Sequence, residues 1–190
     1  MNMTLKPGTN AQSAYNLRNP LHEGKARHTL CVVVDNEAGV LARVIGLFSG
    51  RGYNIESLTV AEIDHTGHRS RITIVTTGTP AVIDQIHAQL ERMVPVHSVS
   101  DLTVEAPHIE RELGLFKVVA TGDPRVEALR MAEIMGARVV DVTPNSFIFE
   151  LAQTSDQIDA FAELMRPLGL VELTRTGVAA MARGGVAAQG

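Results

Sequence analysis

Residues 30–63 read LCVVVDNEAGVLARVIGLFSGRGYNIESLTVAEI and hold the pattern that decides the fold. The apolar run 30–34 predicts a buried strand. Residues 39–51 place apolar side chains at helical spacing and end before Gly52, where a left-handed C-terminal cap belongs. Residues 54–63 alternate between apolar and polar, as in a half-buried strand. The stretch therefore predicts a strand, a helix and a second strand.

The turn Asp35–Leu41, with the sequence DNEAGVL, joins the first strand to the helix. A polar turn that closes on Gly39 at a helix start leaves backbone N–H groups without partners, and these suit a carboxylate. Glycine also lets a ligand approach the backbone, although it can equally serve only to relieve a tight turn. Asn54, which we place at the start of the second strand, offers a donor and an acceptor to an amino acid. The pattern favours a sensor of a small acid over a catalyst.

Each half of the chain repeats the order strand, helix, strand, strand, helix, strand. The remaining elements of the first half are a hairpin turn at 65–68, a strand at 71–77, a helix that begins at Pro80 and a strand at 94–104. The second half is predicted to hold strands at 113–121, 138–142, 147–151 and 170–176, with helices after Asp123 and around 158–165. In the helix after Asp123 we expect Val126, Leu129 and Ile134 to point inward.

The repeat predicts an α+β protein with two ferredoxin-like βαββαβ domains, each a four-stranded antiparallel sheet with two helices on one face. The predicted division is a disordered N-terminal tail 1–26, a first domain 27–104, a linker 105–110, a second domain 111–180 and a flexible tail 181–190. A sheet covered on one side leaves its other face or its edge free to meet another sheet. We therefore expect a homodimer.

Composition excludes several classes of function. The net charge is −4 and no block of Lys and Arg is present, so the electrostatic signature of nucleic-acid binding is missing. A single cysteine rules out an intramolecular disulfide and suits a reducing compartment. No apolar run approaches the roughly 18 residues of a membrane span. We expect a cytoplasmic protein, although scattered Lys and Arg in the N-terminal tail leave a transit peptide open.

Few residues suggest chemistry. His65 and His68 share a turn with Asp64, which is a conceivable metal corner, but an exposed polar hairpin is the favoured interpretation. Cys31 lies inside a strand and is expected to be a buried, inert thiol. The usual motifs of nucleotide binding, serine hydrolysis and zinc proteolysis are absent from the sequence. The sequence thus predicts no catalytic residues and no metal site.

The chain resembles the regulatory (small) subunits of acetolactate synthase, also called acetohydroxyacid synthase. The resemblance covers residues 28–184 and is most specific in Gly46-Leu47-Phe48-Ser49, Gly52-Tyr53-Asn54-Ile55-Glu56-Ser57-Leu58 and Arg175-Thr176-Gly177. The glycine turn alone would be weak evidence for this family, since many amino-acid sensors of the ACT type share it. Ala38 departs from the Pro or Ser common in the family, which suggests a slightly looser turn.

The resemblance implies an N-terminal ACT domain and a C-terminal domain of similar topology, with no chemistry and no cofactor in this chain. It implies a catalytic (large) subunit as partner, which holds thiamine diphosphate, magnesium and FAD and condenses 2-ketoacids in the synthesis of valine, leucine and isoleucine. The small subunit raises that activity and confers feedback inhibition, usually by valine.

By the same resemblance, the effector lies between two ACT domains of a homodimer. Its expected contacts are Asn36, Ala38, Gly39, Val40 and Leu41 of one chain, with Asn54 and Ile55 of the partner chain or the same one. Two other interpretations stay open: a stand-alone tandem ACT sensor with a different target, and a small metal-dependent enzyme built on His65 and His68.

Overall fold

The computed structural model describes residues 24–105 and 107–185. The elements of the first domain are β1 (Ala26–Asp35), α1 (Val40–Arg51), β2 (Ser57–Asp64), β3 (Arg69–Gly78), α2 (Pro80–Glu91) and β4 (Val96–Asp101). The strands form a four-stranded antiparallel sheet in the order β2-β3-β1-β4. The predicted βαββαβ fold of this half is confirmed.

Helices α1 and α2 cover one face of this sheet. Alternate residues of β1 and β3 point toward them because successive side chains of a strand face opposite ways. The resulting core joins the strands to the apolar stripes of both helices and consists of Leu30, Val32, Val34, Val40, Val44, Phe48, Ile72, Ile74, Ile83, Ile86, Leu90 and Val99. Gly52 caps α1 with φ 69°, as its position in the sequence predicts.

The second domain repeats the arrangement and adds a strand. After the short helix α3 (Leu102–Glu105) come β5 (His108–Val119), α4 (Asp123–Met135), β6 (Arg138–Val142), β7 (Ser146–Gln153), α5 (Ser155–Met165), a 3₁₀ turn, β8 (Leu170–Arg175) and β9 (Ala179–Ala182). The sheet order is β6-β7-β5-β8, and β9 pairs antiparallel with the first four residues of β5. The predicted two-domain α+β class is therefore confirmed.

The inward face of α4 differs from the prediction. Val126 and Ile134 are mostly exposed and Leu129 is 39% exposed, whereas Ala128 and Ala132 are buried. The reason is the bulk of the facing core, where Phe116 and Phe149 both pack edge-on against Phe161 of α5, at 4.7 and 6.1 Å between ring centroids. The inward face of α4 therefore consists of Ala128 and Ala132, with Met131 and Met135 packed partly against the same core.

The helix-free face of the first sheet is covered by later parts of the same chain. Cys31 and Val75 of that face pack against Leu102 of α3 and against Val178 and Ala180 at the end of the second domain. The sheet face that we expected to be free is therefore partly covered by the same chain. The edge strand β2 pairs only with β3 among the described residues.

Several predicted boundaries need correction. The fourth strand ends at Asp101 and not at residue 104, because α3 follows it directly. β5 already begins at His108, so the predicted linker 105–110 is too long, and β9 occupies part of the predicted tail 181–190. The predicted tail 1–26 lies outside the described residues except at its end, where β1 begins at Ala26. No helix of the described ranges has the length and apolar character needed to cross a membrane.

Candidate functional site

The turn before α1 presents backbone N–H groups to solvent. Gly39 adopts φ 89° and ψ −7°, a left-handed conformation that favours glycine, and beyond its two chain neighbours no atom lies within 4 Å of where its Cβ would be. The helix has no side-chain cap and no acidic residue in its first turn. Val40 N–H has only a long contact of 3.4 Å to the Glu37 carbonyl, and within the described chain the N–H groups of Leu41 and Ala42 have no partner. This end of α1 is an open, positively polarised corner.

The side chains around this corner divide into two groups. Asn36, Ala38 and Gly39 are exposed, and the Asn36 N–H is fixed by a hydrogen bond of 2.6 Å to the His68 carbonyl. Val40 contributes only its backbone, because its side chain is 3% exposed and belongs to the core. Leu41, at 38% exposure, is the apolar surface next to the open N–H groups.

Asn54 and Ile55 lie in the loop between α1 and β2. The strand begins at Ser57, so the prediction that Asn54 opens the strand is wrong. The loop is nevertheless fixed, because the Thr76 hydroxyl donates to the Asn54 carbonyl at 2.6 Å and the Glu56 N–H donates to the Val75 carbonyl at 2.8 Å. The Asn54 side chain is exposed, while Ile55 packs partly against the first core.

One chain does not bring these two groups of residues together. Gly39 precedes α1 and Asn54 follows it, and a helix of 12 residues spans about 18 Å. The strand register agrees: Asn54 contacts Thr76, which pairs with His28 of β1. His28 lies near the opposite end of β1 from Asn36, about 26 Å away at the usual rise per strand residue. Each chain therefore holds the two groups of predicted effector contacts far apart, as two separate candidate half-sites.

The candidate metal corner is a hydrogen-bonded turn. Asp64 Oδ1 accepts the N–H groups of Thr66 at 2.9 Å and Gly67 at 3.0 Å, and these bonds hold the pKa of the Asp64 carboxyl below its usual value. His65 Nδ1 lies 2.8 Å from Glu62 Oε2. Across the ranges that the structure describes, no three His, Cys, Asp or Glu side chains are grouped to hold a metal ion.

Cys31 is 1% exposed. Burial raises the pKa of its thiol, and the positive charge of Arg71 only partly offsets this effect. A buried thiol with a raised pKa is a poor nucleophile, as predicted for this position.

Sequence reasoning missed a polar cleft of about 580 Å³ between the two domains. At its base Glu112, 5% exposed, accepts two hydrogen bonds from Arg175, at 2.9 Å from Nε and 2.6 Å from Nη2. Ser155 donates to the same carboxylate at 3.0 Å, and Arg175 also reaches Asp159 of α5 at 2.5 Å. Glu112 and Arg175 are 63 residues apart in the sequence, so no local pattern predicts their contact. The Arg-Thr-Gly motif, which begins at Arg175, is the one sequence signal at this place.

Comparison with known proteins assigns both domains. Residues 30–98 match the model of the ACT domain of acetohydroxyacid synthase small subunits, and residues 111–184 match the model of the small subunit of acetolactate synthase. The chain is 47% identical over 159 residues to the acetolactate synthase isozyme 3 small subunit of Salmonella typhimurium, covering 83% of this chain and 96% of the relative. It is 45% identical over 165 residues to the small subunit of Aquifex aeolicus, covering 86% and 85%.

Similarity to a solved structure agrees with these matches. The crystal structure of the acetolactate synthase small subunit from Thermotoga maritima superposes with a TM-score of 0.77 at 33% identity, covering 85% of this chain and 99% of that one. The chain belongs to the family of acetolactate synthase small subunits.

Proposed function

We propose that this chain activates the catalytic subunit of acetolactate synthase and makes it sensitive to feedback inhibition by valine. The observation that carries the proposal is the open corner at Gly39, where free N–H groups stand beside an exposed leucine at a helix start. Such a corner suits the carboxylate and the branched side chain of valine. The relatives are named small subunits, which supports a large catalytic subunit as partner.

A homodimer through β2 would complete the pocket. β2 ends the sheet, pairs only with β3 among the described residues, and exposes Val60 and Ile63. Two copies related by a two-fold axis would pair their β2 edges antiparallel. The end of one β2 would then lie beside the start of the other.

That pairing brings the two half-sites together. Asn36 is bonded to His68, which follows the end of β2, whereas Asn54 and Ile55 precede its start. Antiparallel pairing therefore places the Gly39 corner of one chain next to Asn54 of its partner. In the proposed pocket the valine carboxylate meets the N–H groups near Gly39, its ammonium meets Asn54 or a carbonyl, and its isopropyl group packs on Leu41.

The first test reconstitutes the holoenzyme and titrates valine. Gly39→Asp would place a negative charge where the carboxylate binds, so we expect valine inhibition to be lost while activation of the catalytic subunit is kept. Gly39→Asn is the matched control, because asparagine has nearly the same shape and tolerates positive φ but carries no charge. Asn54→Ala should weaken valine binding about tenfold in calorimetry, the value of one hydrogen bond to a charged group. Undiminished inhibition of Gly39→Asp would disprove the site.

The second test asks whether each pocket uses two chains. Gly39→Asp and Asn54→Ala chains, unfolded together and refolded as a mixture, give heterodimers with one intact pocket and one doubly altered pocket. We expect valine binding to return in the mixture although Gly39→Asp homodimers lack it and Asn54→Ala homodimers bind weakly. A mixture that behaves as the average of its parents would contradict a shared pocket. Absence of any stimulation by the unaltered chain would instead favour a stand-alone sensor.

A further inference from the structure

The segment Gly177–Val178 of the second domain is fastened to the start of β2 in the first. The Val178 N–H donates to Ser57 Oγ at 2.8 Å, and Thr59 Oγ1 donates to the Val178 carbonyl at 2.8 Å. Gly177 has φ 83°, and a Cβ there would lie 2.8 Å from Ser57 Oγ and 3.0 Å from Thr59 Cγ2. We call Ser57, Thr59, Gly177 and Val178 the joint, and its close contact requires glycine.

On its other side the joint is fixed to the second domain. The Thr176 N–H donates to the Leu113 carbonyl and the Leu113 N–H donates to Thr176 Oγ1, both at 3.1 Å. The preceding residue, Arg175, is bound by Glu112 of β5 and by Asp159 of α5. Movement of the joint would therefore be passed to the sheet and to a helix of the second domain.

The joint also begins close to one half-site. Asn54 and Ile55 are separated from Ser57 by Glu56 alone, and three residues of chain span at most about 10 Å. The Thr76 hydroxyl donates to the Asn54 carbonyl and the Glu56 N–H donates to the Val75 carbonyl, so both ends of this short segment are held against β3. A displacement at Asn54 would therefore move Ser57 as well. The half-site at Gly39 lies at the other end of α1 and, within the described ranges, makes no backbone hydrogen bond to the second domain.

We propose that Ser57, Thr59 and Gly177 are positioning residues that carry the effector signal from the Asn54 half-site to the second domain. The inference rests on the proposed function, because it concerns the response to an effector bound at that half-site. A ligand shifts such a coupled pair only as far as its affinity for the two arrangements differs. Weakening the joint should separate valine binding from the response of the catalytic subunit.

The test compares binding with response. The double variant Ser57→Ala, Thr59→Val removes both hydrogen bonds with little change in volume, and Gly177→Ala disturbs the joint from the other side. We expect the affinity of the small subunit for valine to stay within about threefold of the unaltered chain, while maximal inhibition of the holoenzyme at saturating valine falls by about half or more. Thr77→Val is the control, because Thr77 is an exposed residue of β3 outside the joint.

Hydrogen exchange gives a second readout. In the unaltered chain, valine should change amide exchange in β8 and β9, and the joint variants should lose that change while keeping the change near Asn54. Equal maximal inhibition in the double variant and the unaltered chain would overturn the inference, as would a double variant that no longer binds valine. If the unaltered chain itself shows no response to valine, the proposed function fails, and the inference about the joint fails with it.

Discussion

Replacement of Glu112 by glutamine tests the ion pair at the base of the interdomain cleft. Glu112→Gln keeps the shape of the side chain but removes the charge that faces Arg175. The carboxylate is 5% exposed and the Arg175 side chain is 31% exposed, so the arginine retains some contact with water. The change removes the buried counter-charge of a partly buried guanidinium, which then keeps only its pair with the exposed Asp159.

The expected loss follows from these exposures. Removing one partner of a fully buried ion pair costs about 3–5 kcal/mol, and a hydrogen bond to a charged group contributes about 1.5–3 kcal/mol. Because Arg175 is partly solvated and also holds Asp159, we expect the free energy of unfolding to fall by about 2–3 kcal/mol. For a chain of this length that is a decrease in Tm of about 4–12 °C.

Thermal unfolding of the small subunit, followed by circular dichroism at neutral pH, measures this loss. The matched control is Glu172→Gln, which removes the same charge from a pair with Lys117 in the same domain, where Glu172 is 59% exposed. An exposed pair contributes about 0–1 kcal/mol, so the Tm of the control should change by no more than about 4 °C. Equal Tm values for the two variants would refute the argument that burial makes the Glu112 pair important.

Two further predictions concern the same domain. Burial alone would raise the pKa values of Glu110 and Glu112, but hydrogen bonds and positive charge from neighbouring side chains outweigh it and hold both below their ordinary 4.5. These carboxylates therefore contribute stability above pH 4.5 and lose it as the pH falls through their lowered pKa values, so the Tm difference between the unaltered chain and Glu112→Gln should shrink in acid. Gly114→Ala should lower the stability of the domain by about 1–3 kcal/mol in urea unfolding, because the added Cβ would lie 2.7 Å from the Phe116 ring. Gly46→Ala is its control: apart from its chain neighbours and the backbone of α1 itself, no atom lies within 4 Å of the added Cβ, and the change should be neutral or stabilising, by up to about 1 kcal/mol.

The first domain could be predicted well from sequence because its signals are local. The apolar run of β1, the stripe of α1 and the cap at Gly52 each act within a few residues, and the structure places them as expected. The sequence misplaces Asn54 because alternation already begins in the loop before Ser57. Tertiary contacts fix that loop: the Thr76 hydroxyl donates to the Asn54 carbonyl, and the Glu56 N–H donates to the Val75 carbonyl.

The errors in the second domain have a different physical origin. The stripe of α4 that faces the core has helical spacing as regular as that of the larger exposed side chains, and consists of Ala128, Met131, Ala132 and Met135. Two of its members are alanines, which are a weak apolar signal in a sequence. Which stripe faces inward is decided by the phenylalanine rings opposite, and these come from three other elements. β9 has no alternation of its own and is a strand only because β5 pairs with it.

The coverage of Cys31 by the end of the second domain has a consequence for the order of folding. The two hydrogen bonds of Val178 to the first domain join residues 119 and 121 positions apart, so that sheet face is closed only after the whole second domain has been synthesised. Until then, among the described residues of this cluster, Cys31 and Val75 are covered on that face only by Leu102 of α3. The rate at which a thiol reagent modifies Cys31 should therefore measure how often the end of the second domain leaves this sheet face.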